Sequence, residues 1–324
     1  MTQDTHTEPW RPSAAIFVLR RRAQILQSIR DFFSRRHVLE VETPALSHAA
    51  SSEVHLQSMQ VSASGMPTTY LHTSPELAMK RLLAAGSGDI YQLCKVFRAG
   101  EQGSRHNSEF TLLEWYRLGF DMPAMMSEVA DLLKVLIPDR HTAAPLYLSY
   151  RQAFLEYAQV DPLSATPAQL QAVFEQRTQQ DVAGASNSDW LDLILSFIVQ
   201  PNLPRNRLVF ITEFPAAQAS LAKLDEKDPR VARRFEVFVD GLELANGFEE
   251  LTDCAEQQQR IETEQAMRAA QGLPCLPVDE HFLAALQAGL PACSGVAMGV
   301  DRLVMLATGQ DHISDVVSFD FPRA

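Results

Sequence analysis

The chain has 324 residues, 46% of them hydrophobic and 21% charged, which leaves room for one large domain or two ordinary ones around a filled core. No apolar run approaches the roughly 20 residues that span a bilayer, and the start MTQDTHTEPWRPSAA lacks the features of a secretory signal, so a soluble, cytoplasmic protein with no membrane partner is expected. A formal net charge of −12 opposes binding to a phosphate backbone, and the dispersed Cys94, Cys254, Cys275 and Cys293 form no CxxC pair, so reduced thiols are expected rather than a zinc site.

Residues 1–13 carry no apolar period and are expected to form a flexible tail ahead of a domain covering 14–324. From Ala14 to Arg36 the spacing of Ile25, Ile29, Phe32 and Phe33 predicts a helix, with the arginines at 20–22 and 35–36 on its solvated face. HVLEVETPAL reads as a strand stopped by Pro44. TTYLHTSPEL reads as a strand running into a helix, with Ser74 able to cap, Pro75 suited to the first turn and Glu76 placed at the positive end of the dipole. IYQLCKVFR and EFTLLEWYRL are strands on either side of the polar loop AGEQGSRHNS. A helical insertion, interrupted by prolines, is expected over about 121–200. Strands return on both sides of Asp240-Gly241, a strong two-residue turn signal, and GVAMGVDRLVMLATG closes as strand, glycine and helix.

In the first hairpin Phe110, Leu112, Glu114 and Tyr116 share one face. A face that carries Glu and Tyr among apolar residues suits a polar ligand lying along the strand. At ~3.4 Å per residue, Phe110 and Glu114 stand roughly 13 Å apart, about the reach from a nucleotide base to an attached amino acid. The simpler alternative is a half-solvated strand with a surface glutamate. At the second hairpin Phe238 is expected to pair with Glu243, which puts Glu236 and Glu243 diagonally on one face. Such a carboxylate pair suits Mg²⁺ bound to phosphate oxygens, with two laterally separated surface glutamates as the alternative. Alternation from Glu243 would turn Glu249 inward, so a bulge near Gly247 is required to bring Glu250 there instead.

FRAGEQGSRHNSEFTLLEWY resembles motif 2 of the class II aminoacyl-tRNA synthetases, most closely the lysyl enzymes. VLEVETPAL resembles motif 1 and GVAMGVDRLVML resembles motif 3, in the family's order. The resemblance implies an α+β fold: the class II catalytic domain, an antiparallel sheet flanked by helices. It also implies ATP and Mg²⁺ as cofactors, Arg98 and Arg302 as the catalytic arginines on the phosphates, and His106 near the outer phosphates. Glu101, Asn107 and Phe110 would serve the adenine, with Gly100, Leu244 and Gly299 completing the nucleotide contacts, Glu243 binding ATP and metal, and Glu236 the second metal ligand. The family has Asn-Glu after its first arginine where Ala99 and Gly100 stand here, and Glu101 is the glutamate available to substitute. Ser74, Glu76, Glu114, Tyr116 and Glu250 match the amino-acid contacts, and Ala297 stands where the lysyl enzymes carry glycine. Pro44 would lie at a homodimer interface.

Motif 1 falls within the first 50 residues, so no anticodon-binding domain is expected ahead of it and tRNA is not the expected partner. SYRQAFLEY, FPAAQASLA and ELANGFEELTD are most similar to the elongation factor P lysyltransferases. That family activates (R)-β-lysine as an adenylate and transfers it to a lysine of elongation factor P. Two other readings remain: a free-standing lysine-adenylating enzyme with tRNA or a small molecule as acceptor, and a non-catalytic regulatory paralogue. The intact Arg98, Glu243 and Arg302 weigh against the regulator.

Overall fold

The computed structural model describes residues 10–54, 56–65, 67–140, 143–182 and 184–324. Residues 1–9 of the expected tail therefore lie outside the described residues. At its other end Ser13 is buried, with its N–H on the Ser318 carbonyl and its hydroxyl donating to Asp320 at 2.7 Å. Two compact units divide the chain, one made of Met1–Leu118, Thr252–Ala292 and Ala297–Ala324, the other of Gly119–Leu251 and Cys293–Val296.

The first unit opens with α1 (Ile16–Ser34), which buries Val18, Ile25, Ile29, Phe32 and Phe33 along one stripe. Phe33 stacks on Tyr91 with ring centroids 4.5 Å apart. Then follow β1 (Leu39–Glu40), β2 (Leu46–Ser47), β3 (Gln60–Val61), β4 (Thr69–Leu71), α2 (Glu76–Ala84), β5 (Ile90–Phe97) and β6 (Glu109–Leu118). β5 and β6 pair antiparallel from Ile90↔Tyr116 to Phe97↔Glu109, and β1 lies parallel to β5. β2 and β3 each pair antiparallel with β4. The strand expected before Pro44 is only two residues long, with one further bond from the Val41 N–H to the Tyr91 carbonyl.

The second unit contains α3 (Met122–Leu136), β7 (Leu146–Ser149), α4 (Tyr150–Tyr157), α5 (Pro167–Thr178), α6 (Asn187–Ile194), α7 (Gln200–Asn202), β8 (Leu208–Pro215), β9 (Val231–Val239) and β10 (Leu242–Glu249). Capping boxes start α4, α5 and α6, each pairing a Ser or Thr with the residue three positions on: Ser149 with Gln152, Thr166 with Gln169, Ser186 with Asp189. The expected helical stretch therefore includes a strand, β7, which runs parallel to β8. β8, β9 and β10 pair antiparallel in sequence order, and Tyr150, Phe154, Phe174, Trp190, Phe214 and Phe238 are in the core of this unit.

The chain then returns to the first unit with α8 (Cys254–Ala270), α9 (Glu280–Gly289), β11 (Cys293–Gly299), whose first four residues count with the second unit, and α10 (Val300–Thr308). α9 packs on α2, and α10 packs on α1 and β6. The fold is α+β with mainly antiparallel strands, as expected. Among the described residues no helix is long and apolar enough to cross a membrane.

One expectation about α1 fails. Arg22 is not on the solvated face: it donates to Asp301 at 2.5 Å and to the Thr111 hydroxyl at 2.7 Å, while Asp301 also accepts the Thr111 N–H at 2.6 Å. Arg20, Arg21 and Arg35 are exposed as expected, and Arg36 lies over the Phe32 ring.

Candidate active site

The β5–β6 hairpin places its loop residues and α10 side by side within the first unit. Arg98 follows β5 directly. Its guanidinium lies 5.0 Å from the centre of the Phe110 ring and reaches Glu101 at 3.5 Å and the Thr73 carbonyl at 3.4 Å. Glu101, the glutamate expected to substitute for the family's, follows three residues after Arg98, past Gly100 at φ +80°. Arg302, in the first turn of α10 after Gly299, donates to His106 Nε2 at 2.6 Å and to the Arg105 carbonyl at 3.4 Å. As the acceptor, His106 Nε2 carries no proton. The Asn107 side-chain amide donates to the Glu109 carbonyl and accepts the Phe321 N–H, which leaves it one further N–H and one further lone pair.

Further along β6, on the same face, Glu114 is 2% exposed. It accepts the Tyr116 hydroxyl at 2.6 Å and the Ser74 hydroxyl at 2.7 Å. Ser74 accepts the Glu76 N–H in turn, so the cap expected from sequence and the contact to Glu114 use one hydroxyl. Burial, and then the neighbouring Glu76 carboxylate, push Glu114 up to about 8. Four expected substrate contacts thus stand together: Ser74, Glu76, Glu114 and Tyr116. Sequence reasoning missed Lys80, which is buried on α2 with Nζ 2.7 Å from Glu76. Its position four residues after Glu76 was the available signal. Ala297 is half-buried in β11.

In the second unit Asp240 and Gly241, at φ +53° and +75°, form the two-residue turn, and Phe238 faces Glu243 as expected. The bulge is not near Gly247. It falls between Glu243 and Ala245, because Ala245 pairs with Val237 and Asn246 with Glu236. Leu244, buried, is the extra residue. The shift in parity puts Asn246, Phe248 and Glu250 on the Glu236 face. Glu250 is buried there, its N–H bonded to the Cys293 carbonyl, whereas Glu249 forms an ion pair with Lys223 at 2.8 Å.

Glu236 is pushed up to about 8 by burial and then by Glu243, against the pull of Arg234. Arg234 donates to Glu236 at 2.7 Å and to the Gln218 carbonyl at 2.6 Å, with its guanidinium 4.4 Å from the centre of the Phe214 ring. It was also missed, although two residues along a strand is the same-face spacing. The buried Glu236 carboxyl and the partly buried Glu243 carboxylate beside it are oxygen donors of the kind a hard divalent cation takes.

The family model for class II tRNA synthetases (D, K and N) matches residues 9–323, so the chain belongs to the class II aminoacyl-tRNA synthetase family. Among curated proteins it is 50% identical to the "Elongation factor P--(R)-beta-lysine ligase" of Pectobacterium atrosepticum, over 99% of this chain and 100% of the relative. It is 51% identical to the protein of that name from Edwardsiella ictaluri, over 97% of this chain and 98% of the relative.

Proposed function

We propose that the chain uses ATP to activate (R)-β-lysine as an acyl-adenylate and passes the acyl group to a lysine side chain of elongation factor P. The observation that carries this reading is the acidic cluster of the buried Glu114 and the partly buried Glu76 with Ser74 and Tyr116, suited to a cationic substrate, in a chain about half identical along its length to ligases of that name. A carboxylate oxygen of the amino acid bonds to the α-phosphorus, the bond to the bridging oxygen breaks, and pyrophosphate leaves. The neutral amine of the acceptor lysine then attacks the acyl carbon, and AMP departs as the isopeptide bond forms.

Arg98 and Arg302 carry the electrostatic part, since charge develops on phosphate oxygens and fixed cations need little reorganisation to meet it. Phe110 serves the base beside Arg98, with Gly100, Glu101, His106, Asn107, Leu244 and Gly299 as the other nucleotide contacts. Glu236 and Glu243 would hold Mg²⁺, which supplies neutralisation of phosphate charge. Glu250 takes the ammonium at the far end of the substrate, and Ala297 borders the amino-acid pocket. A homodimer fits the exposed Ile16, Phe17, Leu39 and Leu46, all within 31 residues of one another near Pro44. Acidity of the chain favours a protein acceptor over tRNA.

ATP–pyrophosphate exchange tests the reading, with β-lysine preferred over α-lysine and label appearing on elongation factor P rather than on tRNA. Arg98→Ala and Arg302→Ala should each reduce exchange by on the order of 10²-fold or more in a folded protein. Exchange close to wild type in either variant would defeat the assignment.

A further inference from the structure

Lys80 has no part in the reaction as set out above. It is 1% exposed, and a buried ammonium is retained only where its charge is met. Its Nζ lies 2.7 Å from Glu76 Oε1, one helical turn back on α2. The charged groups that act on Glu114 are Glu76, which repels it, and Lys80, which attracts it; Tyr116 and Ser74 add hydroxyl dipoles. From β5, Gln92 lies directly opposite Glu114, and Cys94 lies beyond it on the same face. The Cys94 thiol is pushed up to about 12, by burial first and Glu114 second, and adds no charge near neutral pH.

Among these groups the buried Glu114 and the partly buried Glu76 offer two ionisable carboxyls against the one buried ammonium of Lys80. Without ligand a proton can make up the difference, consistent with Glu114 standing at about 8. A substrate ammonium can replace that proton.

We propose that Lys80 is a positioning residue for the substrate amine: a resident cation that fixes Glu76 from one side, keeps the cluster ionisable, and limits it to a single incoming ammonium. This rests on the amino-acid reading above. The role separates two properties that a mere packing residue would not, amino-acid affinity against ATP affinity, and it ties the first of them to pH.

Wild type, K80M and K80R are compared in pyrophosphate exchange, varying β-lysine and ATP in turn from about pH 6.5 to about 9.5, with Tm recorded for the unliganded proteins. For K80M the amino-acid KM should rise roughly tenfold or more near pH 7 while the ATP KM stays within about twofold, because unassisted carboxylates hold their protons about a pH unit or more longer. The gap should narrow toward the alkaline end, and K80R should fall between the two. The Tm deficit of K80M should grow as pH rises, since ionised carboxylates are then left buried without their cation. An unchanged amino-acid KM, or an equal rise in both KM values at every pH, would overturn the proposal. Should K80M prove too unstable to purify, E76Q with K80M removes the stranded charge, and it should recover Tm but not amino-acid affinity; no recovery of Tm counts against the ion-pair role. Absence of exchange by wild type with either lysine isomer defeats the β-lysine reading instead, and the counter-ion role is then decided by Tm, where a deficit independent of pH refutes it.

Discussion

At Gly247 the sequence specifies a glycine because a neighbouring ring fills the space a side chain would need. A Cβ there would stand 2.4 Å from the tip of Phe235 and 2.9 Å from a Val296 methyl. Phe235, the register partner of Gly247, is fully buried and cannot swing aside. Gly247→Ala should therefore cost about 1–3 kcal/mol or more, an overpacking effect readable as a lower urea midpoint at unchanged slope. Trimming the obstacle with Phe235→Leu should return part of the loss in the double variant. Equal stability of wild type and Gly247→Ala would mean that the strands separate more easily than this contact allows.

Between elements, the Arg22–Asp301–Thr111 junction joins α1, α10 and β6. Its carboxylate side chain is 2% exposed and its guanidinium 13%. Asp301→Asn keeps the shape but leaves Arg22 uncompensated, and breaking a buried pair from one side costs about 3–5 kcal/mol. Chemical denaturation should show that loss, and Arg22→Met combined with Asp301→Asn should recover much of it. No sequence pattern announced this junction: an arginine inside an Arg-Arg-Arg run looks solvated, and its partner is 279 positions away. The β9–β10 turn was legible because Asp-Gly accepts positive φ at both central positions. The bulge was legible only as a requirement, because Leu244 and Ala245 are both apolar and either face would take them. The site residues on β6 were legible because its pairing with β5 runs without a register shift, so alternation holds along the whole strand. The side chain of Asn107 was not, because its partner is the backbone of Phe321 far along the chain.

For the whole molecule, the two raised carboxyls set a direction for stability against pH. Glu114 and Glu236 stand at about 8, above an ordinary 4.5. A carboxyl whose folded pKa is raised contributes stability fully below its unfolded pKa, and that contribution is lost as pH rises through the folded value. The unliganded chain should therefore be more stable near pH 6 than near pH 9, which urea midpoints at the two values would show. A cation bound at either carboxyl favours the ionised form, so binding of β-lysine or Mg²⁺ should release protons, detectable by calorimetry in buffers of different ionisation enthalpy. Stability that is flat over this range, with no proton release, would contradict the burial of these two groups.

The bulge at Leu244 also makes this stretch of β10 behave like a reading frame. From Asp240 to Glu250, which residues face inward depends on a count, and the extra residue sets that count. Substitutions leave the frame intact, but a change of one residue in length between Leu244 and Glu250 exchanges the faces of the residues that follow it: an insertion puts Glu249 where Glu250 belongs, and a deletion puts Leu251 there. A second compensating change of one residue restores the original phase. Variation in length is therefore excluded from this segment for a reason of parity rather than of chemistry, and deletion scanning should show an odd–even alternation in activity that no substitution scan can reveal.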